Sequence, residues 1–133
     1  MTAKTAAQMV ADAKAAVENL SPAQVDDEMK GADVLVVDLR EPEERAGSGA
    51  IPGAVHAVRG MLEFYADPSS PYHRAEFDPS RRTILYCASG GRSALAAQAL
   101  SGLGYENVAH LDTGFKGWSE AGLPVDKQST VGP

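Results

Sequence analysis

The chain has 133 residues, enough for one domain with its own core and short of two. It is 44% hydrophobic and 23% charged, the balance of a globular protein rather than a disordered or fibrous one. A net charge of −6 argues against the basic face that nucleic acid requires, and the one cysteine, Cys87, excludes an intramolecular disulfide or a four-thiolate metal site. The N-terminal residues lack the apolar run of a signal peptide, and nowhere do about 18 successive apolar residues offer a membrane span, so we expect a cytoplasmic protein.

From Thr5 to Leu20 the apolar residues Ala6, Met9, Val10, Ala13, Val17 and Leu20 recur at helical spacing, and Thr5 with Gln8 fits a capping box. Ser21, Pro22 and Gln24 repeat the start signal for a second short helix to about Lys30, which Gly31 stops. The β-branched run 34–39 predicts a strand buried on both faces, ending in Asp38 and Arg40. The charged, Gly-rich stretch 41–49 predicts one helical turn and a loop, and 51–57 an extended segment. Arg59 to Arg82 reads as a long surface loop after a short helix near Met61 to Tyr65, and its aromatic residues suggest a cover over the neighbouring pocket. Residues 83–87 form the next buried strand, 93–104 a helix, 107–111 another strand and 115–122 a turn of helix. Strands alternating with helices imply parallel crossovers and an α/β layered sheet.

The stretch from Thr83 to Leu100 carries the chemistry. A buried strand ends at Cys87, a Gly-rich loop follows, and a helix begins near Arg92, which sets the thiol outside the carboxyl end of a strand. Gly90 and Gly91 can adopt positive φ and turn successive amides inward as an anion nest, while the helix dipole and Arg92 add positive potential. Such surroundings lower a thiol's pKa and make a nucleophile at neutral pH. A lone cysteine behind an apolar strand is ordinarily a small buried hydrophobe; the Gly-Gly-Arg-Ser loop favours the reactive reading here.

With these residues in place the sequence resembles the rhodanese-like sulfurtransferases over roughly residues 18 to 125. VVDLREPEE (36–44) looks like the family's strand-end Asp-x-Arg motif, IPGAV (51–55) like its Ile-Pro-Gly-Ala signature, and YCASGGRSALAA (86–97) like its active-site loop; LDTGFKGWSEAGLPV (111–125) is similar to its C-terminal Gly-x-x-x-Trp element. Arg45 replaces the family's usual aromatic residue and Ala50 its usual histidine. The resemblance implies a three-layer α/β fold whose central, mainly parallel sheet is flanked by helices. A helical extension (1–17) would precede the domain (18–125), and a disordered tail (126–133) would follow it.

It also implies a site in which Cys87 carries the nucleophilic sulfur. Arg92 and the amides of Ala88, Ser89, Gly90, Gly91 and Ser93 would form its cradle, with Asp38 and Arg40 beside the loop. The reaction implied is a double displacement through a Cys87 persulfide, from a small anionic donor such as thiosulfate to cyanide or an external thiol, small or protein-borne. It calls for no cofactor and no metal, and we carry a monomer as the expectation. A dianionic donor needs cations, for which Arg92, Arg40 and Arg59 are candidates in that order; for Arg40 an ion pair with Asp38 or Glu44 is the equal alternative.

Two rival functions share this loop. Cysteine-dependent phosphatases and arsenate reductases place their arginine six positions after the cysteine, whereas here Arg92 is five positions on and Ser93 the sixth. A non-catalytic persulfide carrier, sensor or binding module would use the same residues as the enzyme. His56, His73 and His110 lack ligand spacing, with His56 and His110 read as hydrogen-bonded sheet residues. Trp118 with Phe115 reads as a core plug, and Glu41, Glu43 and Glu44 as a solvated face.

Overall fold

The computed structural model describes residues 3–31 and 33–127. Helix α1 (Ala6–Ala16) starts on the expected capping box, in which the Gln8 amide donates to the Thr5 hydroxyl at 3.1 Å and the Thr5 amide to Gln8 Oε1 at 2.7 Å. It stops earlier than the apolar spacing predicts. Val17 is already extended, and Glu18–Leu20 form strand β1, which the helical reading through Leu20 missed. Three residues are too few to show the alternation of a strand, and Val17 and Leu20 fall at helical spacing by coincidence. Asn19 secures the break by donating its Nδ2 to the carbonyls of Lys14 (2.8 Å) and Val17 (3.1 Å).

Helix α2 (Pro22–Gly31) begins with the Ser21 and Gln24 box and Pro22 at its first position. Next come β2 (Val34–Asp38), α3 (Pro42–Ser48), β3 (Val55–His56), a 3-10 turn (Arg59–Met61), α4 (Leu62–Ala66) and β4 (Arg82–Tyr86). The chain then forms α5 (Gly91–Gly102), β5 (Val108–Leu111) and α6 (Gly114–Glu120). The five strands are all parallel, in the order β1-β5-β4-β2-β3. Helix α3 is longer than the single turn expected, because Pro42 presets its first position and the Glu44 carboxylate accepts from the Glu41 amide at 2.8 Å.

Alternation along the central strands splits the core in two. Leu35, Val37 and Leu85 pack with Leu62, Ala66, Ala96, Ala97 and Leu100 on the α4/α5 face, and α1 lies along α5. Val36, Ile84 and Tyr86 pack with Val25, Phe115 and Trp118 on the α2/α6 face. The result is the expected three-layer arrangement, and Trp118 plugs the second layer while donating Nε1–H to the Pro124 carbonyl at 2.7 Å.

The stretch from Arg59 to Arg82 packs inward. Leu62, Ala66 and Phe77 are buried in the core, and Arg74 donates to the His56 carbonyl at 2.8 Å. Past the expected domain end, Asp126 pairs with Ala50 through two backbone hydrogen bonds of 2.8 Å; the remainder of the expected tail, 128–133, lies outside the described residues.

Candidate active site

Strand β4 is central, so its carboxyl end opens between the ends of β2 and β5, and the chain leaves it at Cys87 directly into the loop that starts α5. The Cys87 side chain is turned inward and is 1% exposed. The Gly90 amide donates to Sγ at 3.2 Å and the Ser93 amide at 3.4 Å, so the first turn of α5 points its free donors at the sulfur. Burial pushes the thiol up, but the Ser93 hydroxyl and the Ser93, Gly90 and Ser89 amides outweigh it and hold the thiol below its ordinary value.

Gly90 makes this loop. Its φ is +101°, and a Cβ there would meet the Asp112 carbonyl oxygen at 2.1 Å. From below, the Phe115 and Lys116 amides at the start of α6 donate to the carbonyls of Cys87 (2.8 Å) and Ala88 (3.0 Å). The first two carbonyls of the loop are thus tied to α6, while the Ser89, Gly90 and Ser93 amides serve the thiol.

Arg92, on the first turn of α5, reaches across to α3. Both its terminal nitrogens donate to the Glu44 carboxylate at 2.9 Å, and this fork holds the Glu44 pKa down to about 2. Glu44 therefore belongs to the site rather than to a solvated face. Asp38 and Arg40 take the ion-pair alternative. Arg40, 1% exposed, donates Nε and Nη2 to Asp38 at 3.0 and 2.9 Å, Nη1 to Ser48 Oγ at 2.9 Å and Nη2 to the Gly49 carbonyl at 2.6 Å. Its guanidinium lies 4.3 Å from the Phe115 ring centre. Arg45 and Tyr86 complete the cluster, donating to Asp38 Oδ2 at 3.1 and 2.8 Å. Arg59 pairs with Glu63 at 2.7 Å.

Beside the loop, a cavity of about 540 Å³ is walled by Arg40, Glu44, Ser48, Ala88, Phe115 and Lys116, among others. Its walls come from Arg40, α3, α6 and the loop, and none of them belongs to the Arg59 to Arg82 segment.

A group that sequence reasoning treated as a sheet residue lies behind the thiol. His110, fully buried on β5, has Nδ1 2.8 Å from Ser93 Oγ, and Ser93 Oγ lies 3.6 Å from Cys87 Sγ. Its Nε2 is 2.6 Å from Asn19 Oδ1. Burial pushes this imidazole down to about 4, with Asp112 raising it and Lys14 lowering it. The one available signal was a polar residue in a buried strand flanking β4, near the end that opens on the loop.

The family model for the rhodanese-like domain matches residues 21–121. The chain belongs to the rhodanese-like family. This rhodanese-like chain is 30% identical over 118 residues to the thiosulfate sulfurtransferase GlpE of Actinobacillus succinogenes, covering 89% of this chain and 98% of that one. It spans about half the length of two other curated relatives. An uncharacterized Synechocystis protein is 33% identical over 71% of this chain and 48% of its own, and a putative thiosulfate sulfurtransferase of Synechococcus elongatus is 30% identical over 89% and 41%.

Among solved structures, a Rhodopseudomonas palustris protein of unknown function, described as a possible tyrosine phosphatase, superposes with a TM-score of 0.89 at 38% identity, covering 95% of this chain and 97% of that one. A thiosulfate sulfurtransferase of Pseudomonas aeruginosa superposes with a TM-score of 0.73 at 27% identity, covering 91% of this chain and 22% of that one. Among the described residues, no helix is long and apolar enough to cross a membrane.

Proposed function

We propose that this rhodanese-like protein is a sulfurtransferase that carries sulfane sulfur as a persulfide on Cys87. The observation that carries the reading is the thiol itself, buried yet held below its ordinary pKa by amides aimed at Sγ from 3.2 and 3.4 Å. The Cys87 thiolate attacks the outer sulfur of thiosulfate. The new S–S bond forms as the old one breaks, and its electron pair leaves with sulfite, a weakly basic leaving group. The persulfide anion then lies among the N–H groups of Ala88 to Ser93, whose dipoles are already oriented when the charge arrives. Cyanide or an external thiol attacks the outer sulfur and returns Cys87 as a thiolate.

Arg92 offers the donor its positive charge, in competition with Glu44. Arg40 and Asp38 serve by keeping the wall of the cavity fixed, and Arg59 by bracing α4 through Glu63. The cavity, about 540 Å³, has far more room than thiosulfate fills, which fits a larger thiol as acceptor. With no second cysteine in the chain, the persulfide must be discharged to an outside partner.

A phosphatase reading has the Rhodopseudomonas neighbour's description in its favour. Against it, only four residues separate Cys87 from Arg92, and Arg92 is committed to Glu44 in a two-point bond. Steady-state assays separate the two. Thiosulfate and cyanide should yield thiocyanate with parallel double-reciprocal lines, and Cys87→Ser should yield none. Hydrolysis of an aryl phosphate without thiocyanate formation would overturn the proposal.

A further inference from the structure

The hydroxyl of Ser93 has one hydrogen and two neighbours that need it. Asn19 fixes which way the network runs. Its Nδ2 is spent on the Lys14 and Val17 carbonyls at 2.8 and 3.1 Å, so its Oδ1 faces His110 Nε2 and must receive a hydrogen there. His110 therefore carries its hydrogen on Nε2, a tautomer assigned from these bonds, and offers a lone pair at Nδ1 to the Ser93 hydroxyl 2.8 Å away. Ser93 Oγ is then left as an acceptor for the Cys87 S–H at 3.6 Å. Every group in this neutral arrangement is satisfied.

Ionising the thiol alone leaves Sγ to the Gly90 and Ser93 amides and sets it against a Ser93 Oγ lone pair at 3.6 Å. The thiolate accepts only, and Ser93 cannot give its single hydrogen to both Sγ and Nδ1. One other arrangement satisfies all the groups: a thiolate receiving the Ser93 hydroxyl, and an imidazolium donating Nδ1–H to Ser93 Oγ and Nε2–H to Asn19 Oδ1. The two arrangements contain the same protons.

We propose that His110 is a positioning residue which receives the Cys87 proton through Ser93, so that the thiol and the imidazole titrate as one unit. The proton leaves Sγ for Ser93 Oγ as the Ser93 hydrogen passes to His110 Nδ1; one S–H and one O–H bond break, one O–H and one N–H bond form, and nothing is oxidised or reduced. The charged groups facing His110 are Asp112, whose Oδ1 is 4.0 Å from Nε2, and Lys14, which holds that same carboxylate at 2.9 Å. Burial is the largest influence on His110 and, with Asp112 raising and Lys14 lowering, holds the isolated imidazole down to about 4, so its second proton depends on the thiolate that forms across Ser93. A consequence is that α1 and β1 belong to the site, because Lys14 and Asn19 brace the relay.

The inference rests on Cys87 being the reactive group but not on which donor it attacks, so it is tested by alkylation with iodoacetamide across pH, where no sulfur donor is present. His110→Asn should move the alkylation midpoint upward and slow the reaction at pH 7 by about tenfold. Ser93→Ala should act alike, and the double variant should add little to either. Because His110 is buried and its variant could fail to fold, imidazole ¹⁵N resonances supply the second measurement. In the native protein at pH 7 His110 should show the imidazolium pattern, with hydrogen on both ring nitrogens; in Cys87→Ser it should stay neutral with hydrogen on Nε2. Identical His110 titrations in native protein and Cys87→Ser, or a folded His110→Asn with the native alkylation profile, would overturn the relay. Loss of thiocyanate formation with these couplings intact would instead count against the sulfurtransferase reading alone.

Discussion

Replacing Gly90 with alanine strikes at the amide cradle without removing a charged group. The residue sits at φ +101°, where a side chain costs about 1–2 kcal/mol, and its new Cβ would lie 2.1 Å from the Asp112 carbonyl oxygen and 3.2 Å from Lys14 Nζ. The lysine tip can move; the backbone oxygen at the end of β5 cannot do so cheaply. The loop must therefore retreat and carry away the Gly90 N–H that donates to Cys87 Sγ at 3.2 Å. A hydrogen bond to a charged group contributes about 1.5–3 kcal/mol, which corresponds to a rise of roughly one to two in the thiol's pKa and an alkylation rate at pH 7 lowered about ten- to a hundredfold. Iodoacetamide reactivity against pH reads this directly, with circular dichroism to confirm the fold. Gly104→Ala is the control, since it has the same kind of φ, +94°, but open space for a Cβ, and should cost stability while leaving the thiol's midpoint in place. A folded Gly90→Ala protein with the native reactivity profile would refute the claim that these amides ionise Cys87.

Other outcomes follow from the same geometry. Glu44→Gln should release Arg92 toward the donor and lower the KM for thiosulfate about two- to fivefold, the scale of a half-exposed ion pair; a raised KM would show that Glu44 holds Arg92 in its working position. Arg40→Met should cost about 1–3 kcal/mol in denaturant unfolding, because Asp38 loses two buried donors while keeping Arg45 and Tyr86, whereas Arg59→Ala should change stability by about 0.5 kcal/mol or less. In Cys87→Ser, where no thiol proton reaches His110, burial lowers the imidazole from 6.5 to about 4, so the unfolded chain binds the extra proton first as pH falls. The stability of that variant should be full above about 6.5 and decline by roughly 3 kcal/mol as pH drops through 4, visible as a falling urea midpoint that flattens when His110→Asn is added.

What could be read from the chain itself was whatever depends on neighbours in sequence. The runs at 34–39 and 83–87 announce buried parallel strands because both faces are apolar, and the structure sets them side by side as β2 and β4. Both capping boxes appear where Ser or Thr precedes Gln by three residues. The loop after Cys87 was legible for the same reason, its glycines and the following helix being contiguous. Pairings across the sequence were not. Glu44 meets Arg92 only because α3 and the α5 loop emerge at the same end of neighbouring strands, and Asn19 meets His110 only because β1 adds to the edge of β5. Arg40 could be read as a donor ligand or an ion-pair partner until the carboxylate of Asp38, two residues away, was seen to take its Nε and Nη2.

In the proposed reaction, sulfur rests covalently on Cys87 between donor and acceptor. Purified protein incubated with thiosulfate, desalted and weighed intact by mass spectrometry tests it most directly. The expected result is a gain of one sulfur atom, removed by cyanide with release of thiocyanate and absent in Cys87→Ser. An unchanged mass in the native protein, or a sulfur gained equally by Cys87→Ser, would contradict it.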